Sequence, residues 1–326
     1  MVIGENVDAL LVLSFGGPES RDEVMPFLRQ VTAGKAIPEA RLAAVAEQYW
    51  AFDGVSPLNG ENRDLVARLQ AEMPQGQPVY LGNRNSEPFL ADTLAQMQAD
   101  GVRSAAVFVT SAFGSYSGCR QYRENLAAAA ATLPAPMDLQ LLARIADADA
   151  LAQIWAKELQ RVWPAGNSCL MFVTHSIPVS NAEKYVAEQT SLARKIVAHM
   201  EDAGTAVTDW ELAYQSRSGP PNQPWLEPDI GEAITSAAQR GITDVVVAPI
   251  GFLAENLEIA WDLDRTAAQV CAELGIGYHR GQAPQRSEGF VDLILELLQA
   301  PTARCCAADC CPNPRATPVA WGDCPQ

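Results

Sequence analysis

The chain has 326 residues, with 23 Lys+Arg against 39 Asp+Glu for a formal net charge of −16, and 48% apolar against 19% charged residues. That is the composition of a globular protein with enough length for about two domains of 100 to 200 residues, each able to bury its own core. The acidic balance excludes a phosphate-binding surface of the nucleic-acid type, and no stretch approaches the roughly 20 uninterrupted apolar residues of a membrane span, so a cytoplasmic monomer is expected.

Short apolar runs with the look of buried parallel strands occur at 9–15, 78–81, 105–110, 169–174 and 244–250. Longer stretches of helical period, rich in Ala, Leu, Glu, Gln and Arg, separate them at 41–50, 63–72, 87–99, 121–132, 148–162 and 181–203. Strand and helix alternating in this order predict a doubly wound α/β protein, and the pattern runs twice. The resulting plan is an N-terminal Rossmann-like domain over 7–140 and a C-terminal one over 141–285. A C-terminal helix over 286–300 and a cysteine-rich tail over 301–326 follow. A turn in 133–147, where the sequence reads LPAPMD, marks the division.

Ligands of open α/β sheets bind beyond the carboxyl ends of the strands, so the residues following each strand carry the functional information. The first strand is followed by Ser14-Phe15-Gly16-Gly17-Pro18, which matches no phosphate-loop pattern. The third is followed by a small, polar and aromatic segment, 111–119, containing Tyr116 and Cys119. The fifth region begins Thr174-His175-Ser176-Ile177-Pro178, and the last strand runs into Gly251-Phe252-Leu253-Ala254-Glu255-Asn256-Leu257-Glu258.

His175 is the one histidine of three at a predicted strand end, and the repeat places Glu258 at the equivalent end of the same sheet. An imidazole beside a carboxylate is a general-base arrangement; a buried structural ion pair is the competing reading. Glu258 and Asp262 are four residues apart on a helical segment, and Glu255 precedes Glu258 by three. Such a row of hard oxygen donors suits a visiting cation, or else forms a solvated acidic face. Two segments, 49–60 with Tyr49 and Ser56, and 214–226 with Gln215 and Ser216, read as loops that either line a flat apolar ligand or pack onto the sheet. Five of the eight cysteines, Cys305, Cys306, Cys310, Cys311 and Cys324, fall in the last 22 residues. In a reducing compartment they read as a metal or cluster site in preference to disulfides, the other reading being a loose thiol tail.

The segments LLVLSFGGPES, FDGVSPLNG, FVTHSIPVSN, AYQSRSGPPNQPWLEPDI and APIGFLAENLEIAWDLD stand in the order and spacing of the ferrochelatases, and the resemblance covers nearly all of 8–300. The start, SGCRQYREN and the CCPNPR tail are most similar to the actinobacterial enzymes, a group that resembles the coproporphyrin III ferrochelatases. The resemblance implies two Rossmann-like halves with the macrocycle held in the cleft they form. It implies Fe(II) as substrate and coproheme as product, protoporphyrin IX being the alternative substrate and a non-catalytic porphyrin or heme delivery protein the alternative function. It further implies His175 and Glu258 as the residues of pyrrole deprotonation and of contact with the incoming metal, with Asp262 as an accessory metal residue. Phe15, Tyr49, Ser56, Tyr116, Gln215 and Ser216 match porphyrin-binding positions. A 2Fe-2S cluster is implied as well, held by Cys119, Cys306, Cys310 and Cys311, with Cys305 the substitute. A downstream heme-pathway enzyme is the implied partner. Three positions depart from the family pattern: Asn256 and Glu255 stand where a histidine and an aspartate are common, Phe15 stands where some members carry an iron-ligating tyrosine, and Thr266 where a further carboxylate is often found.

Overall fold

The computed structural model describes residues 7–34, 37–73, 76–219, 222–299 and 311. By contact the chain divides into two units, one holding the described residues up to Thr110, Cys119–Ala143 and those from Ile294 onward, the other Ser111–Gly118 and Arg144–Leu293.

In the first unit β1 (Ala9–Ser14) is buried at every position, as a strand covered on both faces must be. It is followed by α1 (Val24–Val31), α2 (Glu39–Trp50), α3 (Leu58–Glu72), β2 (Val79–Asn83), α4 (Leu90–Ala99), β3 (Ser104–Val109), α5 (Gln121–Ala130) and β4 (Asp138–Leu141). The four strands are all parallel, in the order β2-β1-β3-β4. One face of β1, made of Ala9, Leu11 and Leu13, packs on Leu90, Leu94 and Met97 of α4 and on Tyr122 and Leu126 of α5. A separate cluster joins α1 to α2 through Val24, Phe27, Leu28, Leu42 and Ala46, with Phe15, Tyr49 and Trp50 at its margin.

The second unit repeats the plan with α6 (Asp149–Val162), β5 (Ser168–His175), α7 (Glu183–Asp202), β6 (Trp210–Gln215), α8 (Ile230–Gln239), β7 (Asp244–Ala248), α9 (Ala268–Leu274), β8 (Gly277–Arg280) and α10 (Glu288–Gln299), the last of which crosses into the first unit. Its strand order, β6-β5-β7-β8, is the same as that of the first sheet and again wholly parallel. Cys169, Met171 and Val173 of β5 face Ile230, Ile234 and Ala237 of α8 together with Ile259, Leu263, Ala267 and Cys271, so Cys169 and Cys271 are core residues. Leu170 and Phe172, offset by one, point to the opposite face.

Several features differ from the sequence expectation: β8 was not expected, and 58–60, expected in a loop, begin α3. Tyr214 and Gln215, expected in a loop, end β6, and β4 lies within 133–147, where only a turn was expected. The helix expected from 87 begins at Leu90, because Phe89, its N-cap, is extended, with φ of −67° and ψ of 141°. Among the described residues no helix is long and apolar enough to cross a membrane.

The turn carrying Ser56 depends on one glycine. Gly54 has φ of 76°, and a Cβ there would lie 2.5 Å from Cα of Arg21. Gly54→Ala is therefore expected to cost at least about 1–2 kcal/mol from the left-handed backbone alone, read as a lower urea midpoint; an unchanged midpoint would show that the turn relaxes freely.

Candidate active site

In each sheet the strand order reverses direction at the first and third strands of the unit, and this switch point is where open α/β sheets leave a crevice. In the second unit the switch lies at β5 and β7. His175 is the last residue of β5, and its register partner across the ladder is Gln215, the last of β6. Imidazole and amide therefore stand on neighbouring strand ends. The His175 carbonyl accepts a hydrogen bond from the Tyr185 hydroxyl at 3.1 Å, fixing the strand end to α7. Burial pushes the Tyr185 phenol well above its ordinary range, so it remains a donor. Nδ1 of His175 lies 2.7 Å from the Ser176 carbonyl. A carbonyl has no proton to give, so Nδ1 carries the hydrogen and Nε2 holds the lone pair in the neutral ring.

After β7 the chain passes directly beside β5. A Cβ at Gly251 would approach Cα of Thr174 to 2.8 Å, so a side chain there would push the loop off the strand end. Asn256 then starts a helix: its Oδ1 accepts from the Ile259 amide at 3.1 Å and its Nδ2 donates to the Ala254 carbonyl at 3.3 Å. This is an N-cap, and it explains how an asparagine serves at a position where a histidine is common. The helix widens at once into a π segment, Ile259–Ala267, a rare winding that is frequent at functional sites. Thr266 donates to the Trp261 carbonyl at 3.0 Å, five residues back.

Glu258 and Asp262 come together on this segment. Oε2 of Glu258 is buried and has no hydrogen-bond partner among the described residues, an unusual state for a carboxylate oxygen. Oδ2 of Asp262 accepts from the Ser216 hydroxyl and, at 3.3 Å, from Nε2 of Gln215. Burial pushes the Asp262 carboxyl up to about 6; the Ser216 hydrogen bond works against this, Glu258 adds to it, and His175 opposes it. Ser216 reaches Asp262 from a left-handed backbone, φ 57°. Glu255 is not part of the row, contrary to the spacing argument. It lies before the cap, where helical spacing does not apply, and its Oε1 accepts from Arg280 at 3.0 Å and from the Ala283 amide at 2.8 Å.

The remaining residues singled out in the sequence fall into separate groups. In the first unit Phe15 meets Phe27 edge-on at 6.1 Å and lies 5.4 Å from the Arg84 guanidinium, while Tyr49 packs on Phe27 at 5.8 Å. Ser56 is buried, its amide donating to the Pro18 carbonyl at 2.8 Å and its Oγ accepting from the Leu58 amide at 3.4 Å. Tyr116 opens a short π turn, Tyr116–Arg120, that also contains half-buried Cys119. The segment before it belongs to the second unit and is held there by Glu188, which accepts from the Gly114 amide at 2.6 Å and from both terminal nitrogens of Arg144 at 2.7 Å. Cys311 is half-buried with φ of 55°. Cys305, Cys306, Cys310 and Cys324 lie outside the described residues.

Sequence reading missed a buried amide network under the first glycine turn. Asn62 donates to the Ser14 hydroxyl at 2.7 Å, and Asn59 donates to the Gly17 carbonyl at 2.8 Å while accepting from Asn83 at 3.2 Å. The available signal was two asparagines three apart on the face of α3 that also carries Leu65 and Leu69.

A ferrochelatase family model matches residues 7–301. The coproporphyrin III ferrochelatase of Frankia alni is 44% identical, the alignment covering 96% of this chain and 88% of that one. That of Mycolicibacterium smegmatis is 43% identical over 89% of this chain and 88% of its own. Among solved structures, the chain resembles SirB from Bacillus subtilis (TM-score 0.56, 12% identity, 89% of this chain and 95% of that) and CbiX, the terminal enzyme of siroheme biosynthesis in denitrifying bacteria (TM-score 0.51, 12% identity, 89% and 97%). The two parallel sheets define a chelatase-type fold. Within that class the chain belongs to the ferrochelatase family.

The raised Asp262 carboxyl has a sign that can be checked. An acid whose pKa is higher folded than unfolded favours the fold below its unfolded value, near 4, and loses that contribution as pH rises through about 6. In the metal-free protein Asp262→Asn is therefore expected to gain on the parent by about 2 kcal/mol more at pH 7 than at pH 4. Urea unfolding at the two pH values tests this, and an equal difference at both would contradict it.

Proposed function

We propose that the protein inserts Fe(II) into coproporphyrin III to give coproheme, with His175 and Glu258 taking the pyrrole protons. The observation that carries the reading is the buried Oε2 of Glu258, without a hydrogen-bond partner among the described residues, on a residue whose backbone carbonyl accepts from Gln215, the register partner of His175. Two N–H protons leave the macrocycle as Fe(II) enters, and the iron stays ferrous, so the reaction needs two proton acceptors and no electron. Nε2 of His175 is the first acceptor, its lone pair kept free by the Nδ1 contact to Ser176. The Glu258 carboxylate stabilises the resulting imidazolium and is the second. The same groups suit the incoming cation, since a neutral imidazole and a carboxylate are both ligands for Fe(II). Asp262, one turn on, adds a second carboxylate next to Glu258, held by Ser216 and Gln215.

Phe15, Tyr49 and Ser56 of the first unit, and Tyr116 and Ser216 of the second, are each proposed as porphyrin-binding residues. Phe15 has no phenolate, so it contributes ring packing and no iron ligand. The coproporphyrin substrate is supported by the names of the relatives at 43–44% identity, which span nearly the whole chain.

We propose also that the chain carries a 2Fe-2S cluster on Cys119, Cys306, Cys310 and Cys311. Cys119 and Cys311 fit, being half-buried thiols, soft donors of the kind such a cluster takes, and both assigned by contact to the first unit. The group supplies a thiolate-held, redox-active iron pair; proton removal and metal entry are carried by the residues above.

Anaerobic Fe(II) with coproporphyrin III is expected to give the coproheme spectrum, and faster than protoporphyrin IX is converted. His175→Ala should lower kcat by roughly 10²- to 10⁴-fold, the range of a general base. Tight porphyrin binding with no insertion by the parent would make this a delivery protein instead. For the cluster, anaerobically purified protein should hold about two irons per chain and Cys119→Ser should lose them; iron-free, colourless parent protein from iron-replete cells would refute it.

A further inference from the structure

Gln215 is 1% exposed, so its side chain presents almost no surface to a bound macrocycle. Its amide instead serves the carboxylate turn. Nε2 lies 3.2 Å from the Glu258 backbone carbonyl, 3.3 Å from Oδ2 of Asp262 and 3.3 Å from Oγ of Ser216. All three are acceptors toward it, which fixes the amide orientation with the nitrogen on this side. The Ser216 hydroxyl in turn donates to Asp262, closing a ring of contacts. Gln215 also belongs to the strand end that carries the imidazole: it is the register partner of His175, and its backbone carbonyl accepts from the Ser176 amide at 2.8 Å.

We propose that Gln215 is a positioning residue that locks the first turn of the π segment to β6 and so holds Glu258 opposite His175. This rests on the proposed insertion reaction and refines the role of Gln215 within it: its contribution passes through Glu258 and Asp262, not through the macrocycle. A π segment gives the lock a reason. The segment reaches β6 only through the loop after β7 and its Asn256 cap, and its own i→i+5 backbone pairing runs within the segment, so that pairing does not set the distance from Glu258 to the neighbouring strand end. The Gln215 amide supplies that tie at the carbonyl of Glu258 itself and again one turn later at Asp262. Reacting groups misplaced by about 1 Å can lose roughly 10²-fold in rate, so the tie is expected to act on kcat.

The test uses the full chain with Gln215→Met, which keeps length and removes the donor, and Gln215→Glu, which keeps shape and sets a carboxylate against Asp262. Three quantities are read: kcat and porphyrin KM for anaerobic Fe(II) insertion, porphyrin affinity by fluorescence quenching, and backbone amide exchange over residues 257–263 in the ligand-free protein. The lock predicts faster exchange in both variants, kcat lower by roughly 10²-fold, and porphyrin KM and affinity within about twofold of the parent. Unchanged exchange and kcat in Gln215→Met would overturn it. So would weakened porphyrin affinity with kcat preserved, which would make Gln215 a macrocycle contact. Faster exchange in the variants of a parent that forms no coproheme would refute the insertion reaction while supporting the lock, since exchange is read without substrate.

Discussion

The site depends on the pairing of β5 with its two neighbours. β5 has six residues at 0% exposure, so its position is set by apolar burial on both faces and tolerates no slip: a one-residue shift would turn Cys169, Met171 and Val173 away from α8. That register brings His175 level with Gln215 on one side. On the other, the loop after β7 is pressed against Thr174 at Gly251. The π segment is thereby brought against the strand end that pairs with His175 by a core many residues deep. Chemistry that needs groups placed to within a fraction of an ångström is anchored to a strand buried at seven of its eight positions.

How much of this was legible in the sequence follows from burial. Central strands such as β1, β5 and β7 stand out because both faces are covered and the run is continuously apolar. Three of the four edge strands do not. β4, with sequence DLQL, and β8, with sequence GYHR, are half-buried and have no apolar run, and β6 begins with a half-buried WEL. Missing β6 had a functional cost, because it turned Gln215 from a strand-end residue facing Glu258 into an undifferentiated loop residue. His175 was legible as the end of a central strand, whereas Glu258, expected at the equivalent strand end, lies ten residues past β7 at the start of the π segment. The coupling of Asp262 to Ser216 was not legible, since it needs a left-handed backbone at a non-glycine residue, which no local pattern announces.

The acidic composition resolves into groups with different uses. Glu255 is consumed by Arg280, and so is Asp264, bonded to the same guanidinium at 2.5 and 3.2 Å. Glu188 is consumed by Arg144 in tethering the segment before Tyr116. Glu258 alone of these carboxylates keeps a buried oxygen with no partner among the described residues. A buried charge is costly unless something answers it, and in the proposed reaction the imidazolium and the entering cation do so in turn. Asn256 fits the same economy of roles: it caps the helix that presents Glu258, so the loop keeps its geometry without a second histidine.

The most direct test of this account replaces that one oxygen. Glu258→Gln keeps the shape of the side chain and removes its charge and one acceptor. If Glu258 is the acceptor and cation stabiliser argued here, coproporphyrin III should bind with the parent's affinity while anaerobic Fe(II) insertion falls by roughly 10²-fold or more. Insertion at the parent's rate would contradict the account and leave His175 to act without it.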